Sequence, residues 1–238
     1  MNRTDFLNGL SAAVIAPAAG SALPLPREIA GVRIPDSKLA RDATMLARSA
    51  EPLEIFNHSL RTYLFAELLA QARGTKHDAE LVYVASIMHD TGLSSRFMSA
   101  DQRFEVDGAN LARELMGKHG IAGTDADLVW DAIALHDSGG IARWKQPEVR
   151  LVNAGVSADF GAFLSLLKRD DVVAVLRAAP RTGFVNVFID AVAVVAARKP
   201  QATGGCFVTD VGYRRVPGFH LTNFCDAVQE DPFKGYSA

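Results

Sequence analysis

The chain has 238 residues, 49% of them hydrophobic, which is enough to close one sizeable core without requiring two domains. Twenty-five lysines and arginines stand against 27 aspartates and glutamates, so there is no global basic field to collect nucleic acid and no acidic tail. No window reaches the roughly 20 apolar residues needed to span a bilayer, so a membrane-spanning protein is not expected.

Residues 1–26, MNRTDFLNGLSAAVIAPAAGSALPLP, superficially resemble an export signal. The charged region is thin, Asp5 sits in it, and Pro17 interrupts the apolar part. Residues 1–35 are therefore read as an N-terminal arm, and a cytoplasmic location is expected, with export by an atypical signal as the alternative. Pro24 and Pro26 favour extended chain over 22–36, and Pro35-Asp36-Ser37 reads as a helix entry.

Helix is predicted over 36–49, with Leu39, Ala43 and Leu46 on one side, and over 52–72, where apolar residues recur at spacings of three and four. Gly74 ends the second. His77-Asp78-Ala79-Glu80 opens a third that runs to about His89 and stops at Gly92. A helix over 107–118 precedes Gly120. Thr124 and Asp127 resemble a capping box for a helix reaching His136, which Ser138-Gly139-Gly140 terminates. Residues 157–168, 169–177 and 183–198 read as helical, and GCFVTDVGY as a hairpin arm or packed loop. No βα alternation calls for a parallel sheet. The expected fold is all-α, with a helical domain over 36–199 and a C-terminal extension, 200–238, packed on it. Cys206 and Cys225 read as free thiols, with pairing as the alternative.

Four segments place ionisable residues in or beside apolar helices: His58 in FNHSLRTY, His89-Asp90 in IMHDTGL, His136 in ALHDSGG and Asp159 in GVSADFG. Imidazole with carboxylate suits zinc, iron or manganese better than calcium, which prefers oxygen alone. A bound metal would offset the cost of burying these groups together. Periodicity alone does not say which of them converge.

The order H…HD…D, carried by His58, His89-Asp90 and Asp159, resembles the metal motif of the HD-domain superfamily. That resemblance implies a helical bundle with a metal site between helices, His58, His89, Asp90 and Asp159 being the ligands. FNHSLRTYLFAELL, IMHDTGL, RFEVDGAN, VWDAIALHDSGGIA and KQPEVRLVNAGVSADFGA further resemble the cyanamide hydratase-like branch, over about residues 50–195 plus DPF at Asp231–Phe233. The branch implies one divalent metal, zinc first with iron or manganese as alternatives, and His136 as an extra ligand or substrate contact. Asp137 departs from the neutral threonine expected after that histidine.

The function expected on this basis is metal-dependent hydration of cyanamide or a related small nitrile, with Asp90 and His136 as catalytic candidates. Arg61, Glu105, Asp107 and Lys145 are candidates for supporting the ligands or touching substrate. The alternatives are an HD-type metal-dependent phosphohydrolase and a non-catalytic, metal-stabilised binding protein. The expected partner is a small molecule, with neither nucleic acid nor membrane, and a homo-oligomer is compatible with the chain.

Overall fold

The computed structural model describes residues 5–7 and 25–229. The signal-like reading of 1–26 falls almost wholly outside these residues, and the DPF resemblance at Asp231–Phe233 falls outside them entirely. A two-residue hairpin, β1 (Glu28–Ile29) and β2 (Val32–Arg33), pairs antiparallel and leads into the helices. Tyr63 ties it down by donating to the Arg33 carbonyl at 2.8 Å.

The helices follow in order: α1 (Lys38–Ala50), α2 (Leu53–Arg73), α3 (Ala79–Met88), α4 (Phe104–Lys118), α5 (Thr124–Ala134), a single turn α6 (Gly139–Ala142), α7 (Pro147–Asp159), α8 (Arg169–Ala178), α9 (Phe184–Arg198), α10 (Val208–Arg215) and α11 (Phe224–Gln229). The fold is predominantly helical. Ser37 caps α1 as expected, accepting from the Ala40 amide at 3.0 Å, and Asp78 caps α3 through the amides of Glu80 and Leu81. α1 is amphipathic and buries Leu39, Ala40, Ala43 and Ala47. α2 and α3 differ. Ile55, Phe56 and all of His58–Ala70 are buried in α2, and so is every residue of Leu81–Met88 in α3. Helices that are apolar all round belong inside the molecule, and these two form its centre. A second apolar cluster packs α9 and α10 against Ile55, Leu93 and Phe104.

Several boundaries differ from the sequence reading. Residues 157–168 are not one helix: α7 ends at Asp159, and Gly161 and Phe163 then adopt positive φ of 100° and 60°, which breaks the run. The helix at 147–159, with Pro147 in its first turn, was not expected at all. α4 starts three residues before Asp107. The capping box at Thr124 does not form, because Gly123 is the N-cap and no side chain caps it. α5 stops at Ala134, leaving His136 in the turn beyond. The GCFVTDVGY stretch is not a hairpin: it enters α10, which buries Val208 and Gly212. Cys206 and Cys225 are free thiols.

α7 lies antiparallel on α2, and Gly155 sets how closely they approach. A Cβ there would sit 2.2 Å from the Thr62 carbonyl oxygen and 3.1 Å from the Ala66 methyl. With Gly155 opposite Thr62, one turn forward on α7 reaches Asp159 while one turn back on α2 reaches His58. Gly155→Ala must push the helices apart. It is expected to cost about 1–3 kcal/mol in denaturant unfolding, and a change within about 0.5 kcal/mol would show that the contact yields freely.

Candidate metal centre

Three histidines reach one buried point from three different helix positions. His58 projects from α2. His89 caps the end of α3 at φ −62°, and Asp90 follows at φ −99°, ψ 0°, where the chain leaves the helix for a 3₁₀ turn at Thr91–Leu93. Gly92 permits that turn to lie against α4, since a Cβ there would fall 1.9 Å from the Phe104 carbonyl oxygen. The two backbones therefore approach closely at Gly92. Gly139 and Gly140 show no such crowding.

Each imidazole uses Nδ1 to donate: His89 to the Ser86 carbonyl at 2.7 Å, His136 to the Ile133 carbonyl at 2.8 Å and His58 to Asp159 Oδ2 at 2.6 Å. A carbonyl or carboxylate oxygen only accepts, so the Nδ1 proton is fixed and Nε2 is the atom turned toward Asp90. His58 Nε2 and His89 Nε2 are 3.3 Å apart, and His89 Nε2 is 3.3 Å from Asp90 Oδ2. His58 Nε2 lies 3.7 Å from the same oxygen, and His136 Nε2 4.0 Å from Asp90 Oδ1.

Two ligands on a tetrahedral ion with bonds of about 2.0–2.1 Å stand roughly 3.3 Å apart, so this spacing fits a metal without rearrangement. Both carboxylate oxygens of Asp90 are fully buried and find no hydrogen-bond donor among the described residues. An orphaned buried carboxylate is costly unless a cation meets it. His58, His89 and Asp90 thus form a buried cluster able to coordinate one divalent metal ion.

The electrostatics agree. Burial would raise the Asp90 carboxyl, but His89, His58 and His136 around it hold it down to about 2. Burial also works against charge on His89, yet the adjacent Asp90 raises its pKa. Burial and then the charge of His89 push His136 down to about 4, and burial lowers His58 despite the help of Asp159. His58 and His136 are thus held in the neutral form that ligates metal and Asp90 in its ionised form, whereas His89 must give up the proton that Asp90 favours in order to ligate.

Asp159, expected among the ligands, is not one of the converging donors. Its Oδ2 accepts from His58 Nδ1 and from Arg61 Nη2 at 2.8 Å, and its Oδ1 from Arg61 Nε at 2.6 Å. Arg61 is wholly buried and also donates to the Ala179 and Pro180 carbonyls, both at 3.0 Å. Burial would raise Asp159, but His58 and Arg61 hold it well below the usual carboxylate range.

The remaining candidates scatter. Asp107 is a tie between elements, accepting from the Ser99 amide and from the buried Lys199. Lys145 pairs with Asp131 at 2.6 Å and does not line the cavity above the centre. Glu105 is buried against Arg103, and burial pushes its carboxyl up to about 7. Sequence reading missed Glu51, whose buried Oε1 is unpartnered and whose carboxyl is raised well above its usual value by burial and by Asp90. A glutamate before a proline reads as a surface turn, so nothing in the sequence flagged it.

A cavity of about 520 Å³ opens over the centre. His58, Asp90 and His136 form its floor and Phe160, Phe188 and Phe207 its walls. Asp137, Asn153 and Ser157 contribute polar atoms, and no lysine or arginine lines it among the described residues. Asn153 donates to the His136 carbonyl at 2.7 Å and so braces the turn that carries that histidine.

A predominantly helical fold with buried imidazoles converging on an orphaned carboxylate defines a candidate metalloenzyme. Residues 55–156 match the HD domain family. The match takes in His58, His89, Asp90 and His136 and stops short of Asp159. No curated protein matches the chain. No helix among the described residues is long and apolar enough to cross a membrane.

Proposed function

We propose that the protein is a metal-dependent enzyme that adds water to a small, uncharged molecule, a nitrile being the first class to test and cyanamide its simplest member. The HD-domain match and the His58–His89–Asp90 cluster support metal-dependent hydrolytic chemistry in general. The choice of substrate rests on one observation: the cavity over the cluster is walled by phenylalanines and, among the described residues, lacks any cationic side chain. A phosphate ester needs positive charge arranged around its oxygens.

A divalent ion held by His58, His89 and Asp90 would supply Lewis acidity and a water of lowered pKa. Asp159 holds the Nδ1 proton of His58 and fixes that ring, as an anionic partner does behind many ligating histidines. His136, kept neutral at physiological pH, is the group able to accept a proton at Nε2 and return it. Asn153 and Ser157 offer hydrogen bonds to a polar substrate, and Phe160, Phe188 and Phe207 exclude water around it. Hydration of a nitrile moves protons and releases no leaving group, which one such shuttle can serve. The cavity is far larger than cyanamide requires and has the size of sites for bulkier ligands, so the assay must include larger nitriles. Its opening over the cluster also supports an open coordination position, which a purely structural metal lacks.

The phosphohydrolase reading has the superfamily match behind it. Zinc-, iron- and manganese-loaded protein should be assayed against cyanamide, aliphatic and aryl nitriles and phosphate monoesters. Urea or amide formation is expected. Rapid phosphate release with no turnover of any nitrile overturns the hydratase reading in favour of the phosphohydrolase.

A further inference from the structure

A second group of donors lies just beyond His136. Glu105 comes from α4, Asp137 from the turn after α5 and Cys206 from the segment before α10, and one donor atom of each lies within 4.8 Å of the others. Around one tetrahedral ion, with metal–oxygen bonds near 2.1 Å and metal–sulfur near 2.3 Å, donors stand roughly 3.6 Å apart. Little movement would bring all three onto one cation.

Glu105 is 1% exposed. Its Oε1 accepts from Arg103 Nη2 at 2.5 Å, but the equally buried Oε2 meets no donor among the described residues. The same Arg103 nitrogen donates to Asp137 Oδ2 at 3.2 Å, and the Cys206 thiol donates to the Thr203 carbonyl at 3.2 Å. With both carboxylates and the thiol ionised, the cluster carries three negative charges against the single positive charge of Arg103. A divalent cation would bring it to neutrality. Sulfur beside carboxylate favours zinc over magnesium or calcium, which take oxygen. An open cavity of about 700 Å³, lined in part by Asp137, Cys206, Thr209 and Asp210, provides the way in.

We propose that Glu105, Asp137 and Cys206 form a second divalent-cation site, suited to zinc and separate from the His58–His89–Asp90 centre. Asp137 and Phe207 line both cavities. A cation at the second site would therefore pin the turn bearing His136 to the wall of the first.

The test is a titration of chelator-stripped, full-length protein with Co²⁺, followed by near-ultraviolet absorption and by elemental analysis. Thiolate-to-cobalt charge-transfer absorption is expected in the wild type and in Cys225→Ser. It should vanish in Cys206→Ser, with bound cobalt falling by about one equivalent per chain. The first centre offers no sulfur among the described residues, so this absorption reads the second site alone and either site can fail without the other. Circular dichroism checks that Cys206→Ser is folded, and the wild-type spectrum decides the matter if it is not. Wild-type protein without charge-transfer absorption overturns the proposal, as does absorption or full stoichiometry that survives in Cys206→Ser.

Discussion

His89→Ala is expected to remove bound metal and activity together, whereas Asp159→Asn weakens metal binding and leaves the site recognisable. His89 Nε2 is 3.3 Å from both His58 Nε2 and Asp90 Oδ2, so its loss opens the middle of the donor set. Metal at the His58–His89–Asp90 centre should fall to background after mild chelation, leaving only what Glu105, Asp137 and Cys206 hold, and turnover should drop by more than the roughly 10²–10³-fold that loss of one transition-state donor costs. Asp159 sits behind His58 and fixes which nitrogen carries the proton. Removing such a partner typically costs about 10–100-fold in metal affinity or activity. Elemental analysis and competition with a chelating dye, run on variants whose circular dichroism matches the wild type, separate the two cases. If Asp159→Asn loses metal as completely as His89→Ala, Asp159 is a ligand and the role given to it here is wrong.

That contrast also marks where the sequence stops being legible. His58, His89 and Asp90 stand out because ionisable residues interrupt helices that are otherwise apolar all round, and burying them needs a reason. Asp159 stands out equally, but its depth in the site depends on helix register. Gly155 against Thr62 brings Asp159 level with His58 and Arg61, and no spacing within one segment encodes that pairing. The helix at 147–159 was missed for a related cause. Asn153 and Ser157 face the cavity, so the apolar repeat that would announce a helix is broken where the chain serves the site. Phe188 and Phe207 failed the opposite way, since a cavity-lining phenylalanine in an apolar stretch is indistinguishable from core. The family resemblance reached the HD domain. The cyanamide branch is a question for the assay.

Arg61→Met is expected to be among the most destabilising single substitutions in the chain. The guanidinium is fully buried and bidentate to Asp159, and its remaining donors meet the Ala179 and Pro180 carbonyls just before α9. Methionine fills much of the volume but leaves a buried carboxylate with His58 as its main partner. Removing one member of a buried pair costs about 3–5 kcal/mol, to be read by denaturant unfolding of chelator-treated protein. The pH dependence identifies the cause. Asp159 has its carboxyl depressed in the folded state, so its pairing stabilises fully above the unfolded value of about 3.9 and is lost as pH falls toward the folded value. The variant keeps the share that His58 supplies and lacks the share of Arg61 at every pH. The gap between wild type and Arg61→Met should therefore be constant near neutrality and narrow below about pH 4. A gap under about 1 kcal/mol, the range of exposed ion pairs, or one that stays unchanged into acid, would mean that Arg61 acts by packing on Phe184 rather than by holding Asp159.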